Sequence, residues 1–203
     1  MKNILTLAAA LFAYTASFSQ DAPETDTKTF SIGPSVGFGH TGISHMTGVD
    51  QFKPYWSGGL ILTYSTSEHI GFAADILWSL EGANVERDNL ENDLTLQYIR
   101  VPLKFAYFFR DFTDDFRPKV TIGPSMGFLL DAENYVQGDG TSDVTSLYEK
   151  FDIGANASVG FNWRLRTHWW MNMELNYYKG FTAIRADQYN TNVGLKIGLA
   201  FGL

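Results

Sequence analysis

The sequence predicts an all-β fold, an eight-stranded antiparallel transmembrane β-barrel built as an up-and-down meander. Three observations predict it. Eight runs alternate apolar with small or polar residues, the apolar side of every run is free of charge, and the connections between runs alternate short and long.

Composition narrows the choice first. No stretch after the N-terminus approaches the ~20 apolar residues of a spanning helix, whereas tilted strands cross with about 9–11 alternating residues. Aromatics at 15% and 19 glycines favour strands and tight turns. A net charge of -7 argues against a nucleic-acid surface. There is no cysteine, which excludes disulfides, thiolate metal sites, cysteine nucleophiles and a cysteine-linked lipid anchor.

Residues 1–19 read as a signal peptide. Lys2 supplies the positive start, Ile4 to Ala16 the apolar stretch, and Ala16, Ser17 and Ser19 the small residues before a cleavage point at Gln20. A polar segment, 20–28, precedes the barrel domain, 29–203.

The runs follow in order. The first sets Phe30, Ile32, Val36 and Phe38 against Ser31, Gly33, Ser35, Gly37 and Gly39, and the second sets Trp56, Leu60, Leu62 and Tyr64 against Ser57, Gly59, Thr63 and Ser65. The third opposes Ile70, Phe72, Ala74, Ile76, Trp78 and Leu80 to Gly71, Asp75, Ser79 and Glu81. In the fourth, Ile99, Val101, Leu103, Phe105, Tyr107 and Phe109 oppose Arg100, Lys104 and Arg110. Leu94 and Leu96 have the other parity, so a bulge or strand start is expected near Tyr98. Pro102 lacks an amide donor and marks a further irregularity. The fifth run carries Val120, Ile122, Met126, Phe128 and Leu130; the sixth runs from Phe151 to Trp163; the seventh carries Trp169, Met171, Met173, Leu175 and Tyr177; the last carries Val193 to Leu203 in alternate positions. Ser31–Phe38 recurs as Thr121–Phe128 (SIGPSVGF, TIGPSMGF), an echo of the first run in the fifth that fits a duplicated four-strand unit or convergence on one strand recipe.

Period two alone does not say which face points inward, since a soluble lipocalin-like barrel alternates with its apolar face inside. Here the polar face consists of glycine, serine and asparagine with a few charges, which suits a narrow lumen. A charge on lipid costs about 2–4 kcal/mol at midplane for Arg or Lys, and the apolar face has none. Trp56, Tyr64, Trp78, Tyr107, Phe109, Trp163, Trp169 and Tyr177 gather at run ends as an interfacial girdle would. Hydrocarbon is therefore expected outside. Residues 65–69, 110–118 and 164–168 are short turns, expected in the periplasm with both termini; 42–54, 82–93, 131–149 and 182–189 are longer, expected as outer loops.

An eight-stranded barrel is about filled by its own side chains. The inward charges are Asp75, Glu81, Asp152 and Glu174 against Arg100, Lys104 and Lys196. Counting from the turns pairs Asp75 with Lys104 and Glu174 with Lys196, and unpaired buried charge is expensive.

Taken together, Gly33–Gly37 (GPSVG), Tyr98–Leu103 (YIRVPL), Asp152–Gly160 (DIGANASVG), Met173–Gly180 (MELNYYKG), the end Leu199–Phe201 and the leader's Ser19-Gln20 resemble the Bacteroidota outer-membrane β-barrel family that includes PorT-like proteins. The resemblance covers nearly all of the mature chain. It implies an eight-stranded barrel in a Gram-negative outer membrane, no common activity, and for some members a part in protein secretion. Such barrels usually end in an aromatic residue read by the assembly machinery; this chain ends in Leu203, with Phe201 two residues back.

The expected role is structural or interactive, through the extracellular loops, with the lumen plugged. A narrow small-solute or ion channel is the alternative, and an acyl-modifying enzyme the distant one. His40 and His45 lie near an outer loop with Ser44 and Asp50, without nucleophile-base spacing. The acidic region 131–143 lacks calcium-loop spacing. No catalytic, cofactor or metal residue is therefore expected. The expected partners are outer-membrane lipid, the barrel assembly machinery and a protein or ligand at the loops, and not nucleic acid.

Overall fold

Alternation along eight long strands closes the chain into a cylinder. The computed structural model describes residues 30–46, 49–87 and 90–203; the expected signal peptide, 1–19, and the segment 20–28 lie outside them. The wall consists of β1 (Phe30–Ser44), β3 (Lys53–Ser65), β4 (Ile70–Arg87), β5 (Leu90–Phe108), β6 (Phe116–Val136), β8 (Phe151–Arg166), β9 (Trp169–Gly180) and β10 (Tyr189–Gly202). Each pairs antiparallel with the next, and β10 returns to β1, so no edge is left unpaired. Two short strands, β2 (Val49–Gln51) and β7 (Gly140–Asp143), add to β4 and β6 at one end.

The burial pattern decides which face is which. Val36 and Ile122 are 63% and 62% exposed, whereas Asp75 and Glu81 are 2% and 0%. Apolar side chains point out and charges point in, the reverse of a soluble barrel. A wall with this polarity needs a hydrocarbon neighbour.

The two ends differ. Residues 66–69, 109–115 and 167–168 form short turns at one end, where Leu203 also donates its backbone N–H to the Phe30 carbonyl. The other end carries the four connections that the sequence marks as longer. Three of them are shorter as loops than the sequence suggests, because strands continue into them: β4, β5 and β6 have 18, 19 and 21 residues; the fourth, 181–188, keeps its expected length. Beyond the apolar band the backbone still needs partners, and polar side chains there carry no period-two signal to reveal the strand.

The irregularity near Tyr98 is present as a register shift between Gln97 and Tyr98 on the β5–β6 ladder. Its location on the chain differs from the expectation. Strand β5 keeps one phase throughout, with Leu94, Leu96, Tyr98, Arg100 and Lys104 all buried, and the extra residue is Leu130 of β6, which falls between the partners of Gln97 and Tyr98. Leu94 and Leu96 therefore point inward. Pro102 interrupts the β4–β5 ladder, which skips from Ala74–Leu103 to Leu77–Arg100.

The repeated Ile-Gly-Pro-Ser segments occupy β1 and β6, on opposite sides of the ring. Both interrupt the ladder on one side only: β1 skips Gly33 and Pro34 against β10, and β6 skips Gly123 and Pro124 against β5. A Cβ at Gly33 would collide with the Leu199 carbonyl, and one at Gly123 with the Leu103 carbonyl. Glycine allows the close approach and proline removes the donor that regular pairing would use.

Candidate functional site

The lumen concentrates the chain's buried charge in two layers. In the layer nearer the turns, Asp75 of β4 and Glu174 of β9 meet Lys104 of β5, Lys119 of β6 and Lys196 of β10. Lys104 Nζ donates to Asp75 Oδ2 at 2.9 Å and to Glu174 Oε2 at 3.2 Å. Lys119 Nζ lies 2.5 Å from Glu174 Oε1, and Lys196 Nζ 3.1 Å from Glu174 Oε2, with a further contact to Asp75. All five side chains are at most 5% exposed. The sequence reading of two separate pairs thus becomes one interlocked cluster. Lys119 is the member that sequence reasoning missed. It shares the parity of Thr121 and Ser125, but it precedes the first apolar residue by which the run was recognised.

The second layer is built on Arg100. Its Nε and Nη2 hold Glu81 in a fork at 2.6 and 2.7 Å, and Nη2 also reaches Asp152 at 2.8 Å. Ser79 donates to Glu81, and Asn190 to Asp152, both at 2.8 Å. The guanidinium also stands over the Tyr178 ring, 4.0 Å from its centroid. Three lysines against two carboxylates leave one excess positive charge in the first layer, and two carboxylates against Arg100 leave one excess negative charge in the second. The layers are complementary. A buried ion is tolerated when such partners surround it.

Between them lies a cavity of about 30 Å³, lined by Asp75 and Lys196 from one layer and Arg100 from the other. Ser125 Oγ, Asn156 Oδ1 and Arg100 Nη1 belong to its lining and have no protein partner. A volume of that size accommodates one or two waters, the usual partners of such groups.

Both ends of the lumen are filled. At the turn end, Arg117 stacks over Phe108 and Phe112, 4.1 and 4.7 Å from their centroids, and donates to the Glu68 carbonyl at 2.8 Å. At the hairpin end, Ile43, Ala83, Leu94, Leu96, Tyr98, Leu129, Ala132, Tyr148 and Ile184 form an apolar plug. Tyr148 and Ile184 come from connections outside the barrel strands and fold in over its mouth.

The outward aromatics occupy two levels. Tyr64, Tyr107, Phe109, Trp163 and Trp169 lie towards the turns, with Tyr107 against Phe109 at 5.3 Å and Trp169 against Phe201 at 5.3 Å. Trp56, Trp78 and Tyr177 lie towards the hairpins, with Phe38 6.2 Å from Trp56. His40 also points outward, stacked on Phe52 at 5.0 Å. His45 Nδ1 contacts the Asp187 carbonyl at 2.9 Å, while the Ser44 hydroxyl donates to the Tyr189 carbonyl at 3.2 Å. The side chain of Asp50 lies outside the described residues.

Comparison with known proteins agrees with this architecture. The chain resembles, at the level of fold, Neisserial surface protein A (12% identity, TM-score 0.56, covering 86% of this chain and 97% of that one). It also resembles outer membrane protein OprG from Pseudomonas aeruginosa (12%, 0.55, 86% and 95%) and outer membrane protein W from E. coli (18%, 0.50, 88% and 100%). No curated protein matches it. A family model described as "Outer membrane protein beta-barrel domain" matches residues 18–186, most of the length of the chain. With its charged lumen and apolar outer wall, the chain belongs to the outer membrane protein beta-barrel domain family.

Proposed function

We propose that this outer-membrane barrel is a non-conducting, non-catalytic structural or interaction protein whose partner binds the hairpin end. The observation that carries this reading is the filled lumen: Arg117 at one end, two charge layers in the middle and the Leu94–Leu96–Ile184 plug at the other. In this reading the turns and termini face the periplasm and the hairpins face outward, supported by the contrast of short turns and long hairpins. Among the described residues the hairpin end carries Glu86, Asp93, Asp131, Glu133, Asp139, Asp143, Glu149 and Asp187 against Lys53, Lys150, Lys179 and Arg185, so a partner with a cationic face suits it. A place among the Bacteroidota PorT-like barrels, and a part in secretion, rests on the motifs at Gly33–Gly37, Tyr98–Leu103 and Asp152–Gly160.

Planar-bilayer recording tests the reading of the lumen. The protein and its Lys196→Met variant should both carry no steady current; a sustained conductance that the variant alters would establish the channel reading instead. Capture from crosslinked cells, with residues 137–143 intact or deleted, tests the interaction. Loss of a salt-sensitive partner on deletion is expected, and the same capture by both forms would refute a role for that hairpin. Release of fatty acid from outer-membrane lipid by the refolded protein, abolished by His40→Ala, would refute the non-catalytic reading.

A further inference from the structure

The turn end brings together three ligand-type side chains from two different connections. Glu68 and His69 close the β3–β4 turn, and Asp111 lies in the β5–β6 turn beside it. One ligand atom from each lies within 4.8 Å of the others. Residue spacing gave no hint of this group, because its members meet only when the two turns become neighbours.

The position of His69 is the informative feature. Its Nδ1 lies 3.0 Å from the Phe108 carbonyl oxygen. That oxygen can only accept, so Nδ1 carries the proton and Nε2 is left facing outward. Nε2 then lies 3.5 Å from Asp111 Oδ1. In the neutral ring this sets a lone pair against a carboxylate, an arrangement that only a shared cation or a second proton on the ring makes favourable. An imidazole held by a backbone carbonyl through its other nitrogen is also the usual outer arrangement of a metal-bound histidine. The His69–Asp111 separation fits a metal: tetrahedral zinc with bonds of 2.0–2.1 Å places neighbouring ligand atoms about 3.3 Å apart, and the exposed Glu68 carboxylate, within 4.8 Å of both, would close in on the ion.

The support is rigid. The Phe108 N–H donates to the His69 carbonyl at 2.8 Å, tying the two connections by backbone. Arg117 Nη2 donates to the Glu68 carbonyl at 2.8 Å. Asp111 and the His69 ring are both about half exposed, at 53% and 44%, which leaves a path for an ion and room for water as a further ligand. Two carboxylates and a neutral imidazole balance a dication.

We propose that Glu68, His69 and Asp111 form a divalent-metal site of the zinc class that clamps the β3–β4 turn to the β5–β6 turn. The imidazole selects zinc over calcium, which takes oxygen ligands. The site lies outside the lumen, and its test is independent of the lumen's conductance.

Titration calorimetry of the folded protein in detergent with ZnCl2, and separately with CaCl2, tests it. One zinc per chain is expected, with His69→Ala and Asp111→Asn each weakening binding by about tenfold or more. His45→Ala, at the second His–Asp contact on the other end, should leave binding unchanged. Folding of each variant is checked by its heat-dependent electrophoretic shift, and at these exposed positions it should persist. Zinc should also raise the unfolding midpoint of the parent protein but not of His69→Ala. No zinc binding would leave only an imidazolium–carboxylate pair and overturn the proposal. Binding undiminished in His69→Ala, or calcium bound as tightly as zinc, would overturn it equally.

Discussion

Charge balance in the lumen makes a directional prediction about stability. Glu174 touches all three lysines of its layer, Lys104 at 3.2 Å, Lys119 at 2.5 Å and Lys196 at 3.1 Å. Glu174→Gln is nearly isosteric, but it raises the excess charge of that layer from one positive to two. Lys119 then loses its carboxylate, at 1% exposure. Removing one partner of a buried ionic group costs about 3–5 kcal/mol, because the remaining charge stays out of water. Lys196→Met acts in the opposite sense. It brings the layer to neutrality, Asp75 keeps Lys104 at 2.9 Å, and Glu174 keeps two lysines. Its cost is the loss of charge-assisted hydrogen bonds, about 1.5–3 kcal/mol, offset in part by not burying an ammonium. It should therefore fall below about 2 kcal/mol. Denaturant unfolding in lipid vesicles, followed by tryptophan fluorescence and electrophoretic mobility, measures both. If Lys196→Met destabilises as much as Glu174→Gln, the net charge of the layer does not govern its energetics and the reasoning fails.

Other consequences follow from the same geometry. Leu96→Ala empties part of the plug and should cost about 2–5 kcal/mol, whereas Leu60→Ala on the lipid face should cost less, because acyl chains close over the site; equal costs in the same unfolding assay would place Leu96 outside. Leu175→Arg, on the outer face next to Glu174 in sequence, should cost about 2–4 kcal/mol in a bilayer, and an unchanged midpoint would count against hydrocarbon there. Asp143 accepts the Thr145 backbone N–H at 2.9 Å, which holds its carboxyl below its ordinary value of 3.8. A depressed carboxyl contributes stability above its unfolded pKa and loses that contribution as pH falls through the folded one. Protection of the Thr145 amide, relative to its intrinsic exchange rate at each pH, should therefore fall in acid in the parent protein, and show no such acid step in Asp143→Asn.

Much of this molecule is legible from parity alone. Phe30 to Phe38, Ile70 to Leu80 and Phe151 to Trp163 alternate so regularly that strand number, pairing order and the lipid-facing side follow from which residues share a face. Asp75, Glu81, Arg100, Lys104, Asp152, Glu174 and Lys196 belong to the lumen on the same basis, because charge is tolerated only on the inner face. Parity does not give height along the barrel axis or angle around it. Asp75 and Lys104 are near one another in level, but only closure of the ring brings β9 and β10 across the narrow lumen so that Glu174 and Lys196 join them, together with Lys119 from β6. Leu94 and Leu96 have the inward parity that the sequence shows, but parity does not say what they pack against: that is decided by the sealed barrel mouth and by the bulge at Leu130, on a different strand. The contact between Glu68–His69 and Asp111 has no sequence signature at all, since it depends on two turns being adjacent. Local pattern decided which way each side chain points, through the two-residue repeat of the strand; the closed tertiary structure decided which of those side chains meet, because the register around a barrel is a property of all its strands together.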